Sequence, residues 1–247
     1  MKTFRADLHI HTVLSPCGDL DMSPKNIVQK AHQLGIDIIG ITDHNSTLQC
    51  RGVGLEAEKS GIFLLLGAEV TTKEELHCLV FFQNPEKLNL FQQYIDAHLP
   101  NISNDTSRFG YQVVVDEQEM IVYEEQRLLI VAIDQSVDQV AQKVHELEGL
   151  FIPAHVDKGK NSIISQLGFI PKGLAIDAIE ISPNTTIAKT LQNLGYLEHY
   201  TFIQNSDAHI LEDIGKRTTL FELEQPAFSE ISMALRGCEG RNVRPGI

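Results

Sequence analysis

Short, almost uninterrupted apolar runs alternate along the chain with longer segments in which apolar and polar residues mix. Runs without internal alternation are typical of strands that are covered on both faces of a sheet. Seven runs are predicted to be strands, at residues 4–8, 37–42, 63–70, 78–82, 150–154, 178–181 and 201–204.

The segments between these runs carry helical signals. A helix is predicted to begin with Ser23 as its N-cap and Pro24 in its first turn, and to end at Gly35. Further helices are predicted at residues 137–147, 187–194 and 227–235. Alternating strands and helices favour an α/β fold with a parallel sheet. About seven such units in 247 residues fit a small or incomplete barrel better than an open sheet.

One region breaks this rhythm. Residues 111–123 alternate around a polar middle, which is typical of a β-hairpin, and residues 101–110 before them form a polar loop. We interpret residues from about 100 to 125 as a loop and hairpin inserted into the barrel. The whole chain, residues 1–247, is therefore predicted to be a single domain.

The charge balance limits the partners that we expect. The chain carries 33 acidic and 20 basic residues, a net charge of −13, and it contains no run of lysine or arginine. It has no tryptophan and five tyrosines, so few side chains could stack on bases. Both features argue against binding of an extended nucleic acid. They leave the oligomeric state open.

Cysteine use and the apolar runs favour a cytoplasmic protein. The four cysteines are scattered, with no CxxC pair, as expected of reduced thiols in a chain of this size. The first predicted strand follows the starting methionine so closely that we expect no signal peptide. The apolar runs are also too short to cross a bilayer, so no membrane contact is predicted.

Histidines and acidic residues follow the predicted strands repeatedly. His9 and His11 are two positions apart, so an extended strand would place both imidazoles on one side, as a transition-metal ion requires. The other strand-end residues of this kind are Asp43, His44, Glu69, His155, Asp207 and His209. Because the carboxyl ends of parallel barrel strands open on one face, these residues are predicted to share one pocket.

The motifs DLHIHT, TDHN, GAEV, PAHVD and NSDAH, in this order, resemble those of the polymerase-and-histidinol-phosphatase (PHP) superfamily. The resemblance runs from Ala6 to about Gly215. It implies a distorted (β/α)7 TIM-like barrel that holds two or three divalent ions. It also implies that the chain hydrolyses phosphoesters, as most known members do.

The resemblance further implies nine metal ligands, namely His9, His11, Asp19, His44, Glu69, His77, His155, Asp207 and His209. A first ion would be held by the residues His9, His11, Glu69 and Asp207. A second ion would be held by His44, His209 and one residue of the loop 15–21, and a third by Glu69, His77 and His155. In that loop Asp19 stands five residues before Pro24, which is the usual spacing in the family, and Cys17 and Asp21 remain alternatives. The imidazole-rich set suits Zn, Mn or Fe better than Mg.

The reaction implied by the resemblance is hydrolysis of a small phosphomonoester, such as a nucleotide or histidinol phosphate, by metal-bound hydroxide at a trinuclear site. Glu69 and Asp207 would be catalytic through the ions that they hold, and Asp43 would orient an imidazole. Lys158, Lys160 and Arg217 are candidates for binding the substrate phosphate. Two alternatives remain: a nuclease that acts on short oligonucleotides, and a catalytically silent metal-binding regulatory module.

Overall fold

The computed structural model describes residues 1–246. Their strands are β1 Lys2–Ile10, β2 Ile38–Ile41, β3 Phe63–Thr71, β4 His77–Phe82, β5 Val113–Val115, β6 Ile121–Glu124, β7 Leu150–Pro153, β8 Ile179–Ile181, β9 Phe202–Gln204, β10 Thr219–Leu223 and β11 Asn242–Pro245. Their helices are α1 Pro24–Gln33, α2 Cys50–Lys59, α3 Pro85–His98, α4 Thr106–Phe109, α5 Val137–Glu146, α6 Ile163–Leu167, α7 Ile187–Asn193 and α8 Phe228–Leu235.

Seven strands form one curled sheet in the order β11-β10-β1-β2-β3-β4-β7, and β8 pairs with β9 in a parallel sheet of two strands. Strands β1, β2 and β3 are parallel to one another. A parallel bridge between Ile10 and Ala208 joins the end of β1 to the segment that follows β9. The α/β fold class and the distorted barrel expected from the sequence are therefore confirmed.

The sheet is less uniformly parallel than we expected. Strand β4 pairs antiparallel with β3, and its first residue, His77, lies opposite Thr71, the last residue of β3. Only residues 72–76 connect the two strands. A parallel crossover needs a dozen or more residues, so this connection can only form a hairpin. Because of this reversal, the first residue of β4 lies at the same end of the barrel as the last residue of β3.

Two C-terminal strands were not predicted. Strand β10 pairs antiparallel with β1, and β11 pairs antiparallel with β10 at the edge of the sheet. Alternate residues of β10 are buried and half-buried, so this segment lacks the continuous apolar run by which the other strands were recognised.

The strands of the central sheet are buried on both faces. In β4, Leu79 and Phe81 belong to the apolar cluster that also contains Leu8, Leu65 and Ile203. The alternate residues of β4 pack in the larger cluster beneath the helices. This double burial explains why the strands are continuous apolar runs in the sequence.

No helix among residues 1–246 is both long and apolar enough to cross a membrane.

The predicted hairpin is present as β5 and β6, which pair antiparallel. Gln49 holds it against the start of α2, because its amide accepts a hydrogen bond from the Val115 N–H at 2.9 Å and donates to the Val115 carbonyl at 2.9 Å. Val113 and Val115 also pack on Val13, in the segment that follows β1. The insertion is therefore attached firmly beside the strand ends that carry the histidines.

Candidate metal centre

The barrel brings the predicted ligands of six strands to one face. His9 lies in β1 and Glu69 in β3, and His77 begins β4. The others lie in the loops that follow β1, β2, β7 and β9, namely His11, His44, His155, Asp207 and His209. Their proximity follows from the fold, since the residues come from positions up to 200 apart in the sequence.

Glu69 lies at the centre of this group. Its carboxylate is 1% exposed. Five imidazole nitrogens lie within 3.4 Å of its oxygens, namely His77 Nδ1 at 3.0 Å, His44 Nδ1 at 3.2 Å, His155 Nε2 at 3.2 Å, His9 Nε2 at 3.4 Å and His11 Nε2 at 3.4 Å. Nitrogen and carboxylate atoms that converge in this way have the composition of a transition-metal site.

An arrangement of hydrogen bonds alone does not satisfy this cluster. A carboxylate has about four lone-pair sites, so Glu69 cannot accept hydrogen bonds from five imidazoles at once. Moreover, Nδ1 of His44 and Nδ1 of His155 are buried and have no hydrogen-bond partner among the described residues. Buried polar atoms are rarely left without a partner, because this costs about 1–3 kcal/mol. The His44 nitrogen faces Glu69, so a cation between the two groups would satisfy both. The residues therefore fit divalent ions.

Three overlapping groups of ligand atoms are compact enough to hold an ion. They are His9, His11 and Glu69; His44, Glu69 and His77; and His11, Cys17, His44 and His209, with the ligand atoms of each group within 4.8 Å of one another. The first two groups share Glu69, so its carboxylate would serve both ions if both were bound.

Asp207 lies beside the first of these groups. Its Oδ1 lies 3.4 Å from His9 Nε2 and 3.7 Å from His11 Nε2. Asp207 and His155 have positive φ angles of 54° and 33°, which are uncommon for residues other than glycine. Such strain is often found at functional sites, where the surrounding structure imposes it.

The electrostatics reflect this crowding of charge. Burial disfavours the histidine cation, but the charges of Glu180, Asp207 and Glu69 outweigh it and raise the pKa of His9 well above its usual value. Burial lowers the pKa of His44, and burial together with the nearby His11 lowers the pKa of His209 to about 4. These last two imidazoles are therefore neutral at pH 7, the form that binds a metal.

The structure does not bring Asp19 into the centre. Asp19 and Cys17 are both exposed, and Asp19 Oδ1 accepts a hydrogen bond from the Asp21 N–H at 2.9 Å. Among the described residues it belongs to none of the three groups, whereas Cys17 does. The spacing from Pro24 pointed to Asp19, but the turn of this loop directs the cysteine towards the histidines instead.

Glu180 is a site residue that the sequence analysis missed. It is 1% exposed, and its Oε2 accepts hydrogen bonds from His9 Nδ1 at 2.9 Å and from the His155 N–H at 3.2 Å. Its Oε1 accepts a hydrogen bond from Asn205 Nδ2 at 2.9 Å. Glu180 thereby fixes the ring of His9 with Nε2 turned to Glu69. A carboxylate inside the apolar run 178–181 was the available signal.

One hydroxyl group, that of Ser15, lies between Asp43 and the nearest imidazole. The Asp43 carboxylate accepts hydrogen bonds from the Thr12 N–H at 2.7 Å, the Thr12 hydroxyl at 2.7 Å and the Ser15 hydroxyl at 2.6 Å. The Ser15 oxygen lies 3.0 Å from His11 Nδ1. Asp43 therefore fixes the segment after β1 and reaches His11 through Ser15.

A cleft of about 230 Å³ opens over the cluster. It is lined by six of the predicted ligands and by Lys158, Lys160 and Asn161. Lys158 forms an ion pair with Asp207, and the neighbouring carboxylates outweigh its burial, so its pKa is raised and it remains charged. Arg217 lies instead in an adjoining cleft of about 380 Å³, which shares Lys158 and Asp207. The two lysines are thus placed at the cluster, and the arginine is placed beside it.

A barrel whose strand ends gather histidines and carboxylates around a shared glutamate defines a class of metal-dependent hydrolase. Family comparison agrees with this. Residues 7–166 match the model of the PHP domain, and residues 199–237 match a PHP-associated model. The chain belongs to the PHP family. The ions on which phosphoesterases of this family depend would be held by the cluster around Glu69.

The chain also resembles individual proteins. YqxK of Bacillus subtilis, an uncharacterized protein, is 28% identical over 279 aligned positions that cover 98% of this chain and 64% of YqxK. A two-domain protein from Bacteroides vulgatus also has a similar structure, and it contains a predicted PHP-like metal-dependent phosphoesterase. The two structures superpose with a TM-score of 0.60 at 16% identity, and the match covers 100% of this chain and 65% of the Bacteroides chain.

The lesion-specific endonuclease EndoQ from Pyrococcus furiosus has a similar fold, with a TM-score of 0.75 at 19% identity over 98% of this chain. Endonuclease Q has also been solved with a 27-mer duplex that carries an abasic lesion at the active site. The present chain spans 58% of EndoQ, as it spans 64% of YqxK. At 19% identity, the similarity to EndoQ shows a shared fold and nothing more.

Proposed function

We propose that this chain is a metal-dependent hydrolase of a small phosphomonoester, with two to three divalent ions at the cluster around Glu69. The observation that carries the proposal is the convergence of five imidazole nitrogens on one buried carboxylate. His9, His11, Glu69 and Asp207 are assigned to the first ion, and Glu69, His77 and His155 to another. Zn, Mn and Fe are the metals that this donor set favours.

Divalent ions in such a site supply Lewis acidity and make a water molecule nucleophilic at neutral pH. The protein contributes position and charge. Glu180 holds His9, and Asp43 holds the turn after β1, so the ligands are fixed before substrate arrives. No nucleophilic side chain is required.

Lys158 and Lys160 are assigned to the phosphate of the substrate. Both line the cleft over the cluster, and Lys158 lies beside Asp207. A phosphate oxygen that replaced the Asp207 carboxylate as partner of Lys158 would form a charge-assisted hydrogen bond. Local positive charge of this kind attracts a phosphate dianion even though the protein as a whole carries a net charge of −13.

A second candidate function is cleavage of a phosphodiester in a nucleic acid. The fold of EndoQ, a lesion-specific endonuclease, covers 98% of this chain. The cleft over the cluster also adjoins the cleft lined by Lys216 and Arg217, which could accommodate a longer phosphate backbone. This candidate departs from our expectation that no extended nucleic acid is bound. The net charge and the lack of tryptophan favour the smaller substrate.

Metal analysis combined with a panel of substrates tests the proposal. The purified protein is loaded with Zn or Mn and assayed with a phosphomonoester, a bis-ester and a DNA duplex containing an abasic lesion. We expect two or more bound ions and the fastest turnover of the monoester. Preference for the diester or the duplex would support the nuclease. Bound metal with no turnover of any substrate would support a silent module.

A matched pair of variants assigns the activity to this site. His9→Ala removes a nitrogen from the cluster, whereas His32→Ala removes an exposed imidazole of α1. Turnover should be lost in the first variant and kept in the second. Equal turnover in both would place the activity elsewhere.

A further inference from the structure

We propose that the thiolate of Cys17 is a ligand of the second ion, together with His44 and His209, and that it makes this position selective for zinc. The proposal rests on the proposed metal-dependent hydrolase and refines one ion of its centre. It replaces the carboxylate that the loop spacing suggested with a sulfur donor.

The distances support one ion among these residues. The ligand atoms of Cys17, His44, His209 and His11 lie within 4.8 Å of one another. Tetrahedral zinc, with bonds of about 2.3 Å to sulfur and 2.0–2.1 Å to nitrogen, places two of its ligand atoms about 3.4–3.6 Å apart. The group would therefore contract by up to about 1 Å when the ion binds.

The two histidines of the group have free ligand atoms. His44 is 4% exposed, and its Nδ1 lies 3.2 Å from Glu69 Oε2 but makes no hydrogen bond among residues 1–246. In His209, Nδ1 bonds to the Asp207 carbonyl at 2.8 Å, which leaves Nε2 available. A buried imidazole nitrogen without a partner is an independent indication that a cation belongs in this place.

The backbone of the loop holds Cys17 at this point. The Asp19 N–H donates to the His209 carbonyl at 2.9 Å, and the Gly18 N–H donates to the Ser15 carbonyl at 2.9 Å. A Cβ on Gly18 would lie 2.2 Å from the Thr12 carbonyl oxygen, so this tight turn admits only glycine. The loop is thus hydrogen-bonded to one of the histidines with which the cysteine would share the ion.

A sulfur ligand changes which metal the position prefers. Thiolate is a soft donor that selects Zn over Mn and Mg, whereas a carboxylate in the same place would suit the harder ions. The position that contains Cys17 is therefore expected to hold zinc in a mixture of divalent ions. The group around Glu69, which lacks sulfur, would tolerate Mn or Fe.

X-ray absorption of the zinc-loaded full chain measures the sulfur ligand directly. We expect a sulfur scatterer at about 2.3 Å from zinc in the wild-type protein and in Cys238→Ser, which removes an exposed thiol. The scatterer should be absent from Cys17→Ser and Cys17→Asp. Cobalt(II) should give a sulfur-to-metal charge-transfer band in the same two proteins that show the scatterer.

Metal affinity provides the second measurement. Loss of a residue that hydrogen-bonds to a metal ligand typically weakens metal binding tenfold to a hundredfold. Cys17→Ser removes a ligand itself, so it should weaken the binding of one zinc ion by more than this. Cys17→Asp should recover Mn binding without the sulfur signature. A fully loaded wild-type protein with only nitrogen and oxygen scatterers would overturn the proposal, as would unchanged zinc affinity in Cys17→Ser. Neither readout depends on turnover, so a failure of the proposed hydrolase remains distinguishable.

Discussion

Replacing Glu180 by glutamine should weaken metal binding although Glu180 is not assigned to any ion. Both carboxylate oxygens face donors, since Oε2 accepts from His9 Nδ1 and the His155 N–H, and Oε1 accepts from Asn205. A glutamine has one oxygen and one NH2 group, so its NH2 must face one of these donors. Asn205 cannot turn over freely, because its Oδ1 already accepts from the Leu8 N–H at 3.0 Å.

The magnitude follows from this mismatch. One buried hydrogen bond is left unmade, at a cost of about 1–3 kcal/mol, and the negative charge that polarises His9 is lost. Removal of such a partner typically weakens metal binding tenfold to a hundredfold, or about 1.4–2.8 kcal/mol. We expect a loss in this range at the first ion, to which we assigned His9.

A competition titration against a chelator measures the affinity, and circular dichroism checks that the variant remains folded. Glu198→Gln is the matched control, because Glu198 is exposed. It should bind metal as the wild type does. If Glu180→Gln also kept the wild-type affinity while folded, the claim that Glu180 positions His9 would be refuted.

The remaining predictions concern the substrate phosphate and the metal. Lys158→Met should lower kcat/KM for a phosphomonoester about tenfold to a hundredfold, because a charge-assisted hydrogen bond contributes about 1.5–3 kcal/mol. Arg217→Met, outside the metal cleft, should change it much less, and an equal loss in the two variants would contradict the assignment. Asp207→Ala should abolish turnover while the circular dichroism spectrum is kept, and retained activity would exclude its role. Chelation should lower the melting temperature, and added zinc should restore it, since an ion that binds only the folded chain stabilises it; a melting temperature independent of metal would exclude a filled site.

The position of the centre was predictable because hydrophobic periodicity identifies strands and barrel topology then brings their ends together. His9, Glu69 and Asp207 were selected on this basis, and the structure brings them within contact distance. The direction of β4 was not predicted, since two apolar runs look the same whether they are parallel or antiparallel. The short connection at residues 72–76 contained that information.

Two features of the site depended on details that local patterns do not encode. Asp19 fitted the spacing from Pro24, but its side chain lies outside the cluster, and Cys17 lies near the histidines in a loop that one backbone hydrogen bond, from the Asp19 N–H, joins to the distant His209. Glu180 was overlooked because its run was read only as a strand. A lone carboxylate in a buried strand needs a partner, and the sequence could have indicated one without naming His9.

The central claim is that Glu69 joins a cluster of divalent ions, and metal stoichiometry tests it most directly. Elemental analysis of the zinc-loaded protein should give two to three ions per chain. Glu69→Gln keeps the size of the side chain but removes its charge, so it should lose at least one ion because the shared ligand is gone. Fewer than two ions in the wild-type protein, or an unchanged number in a folded Glu69→Gln, would contradict the account.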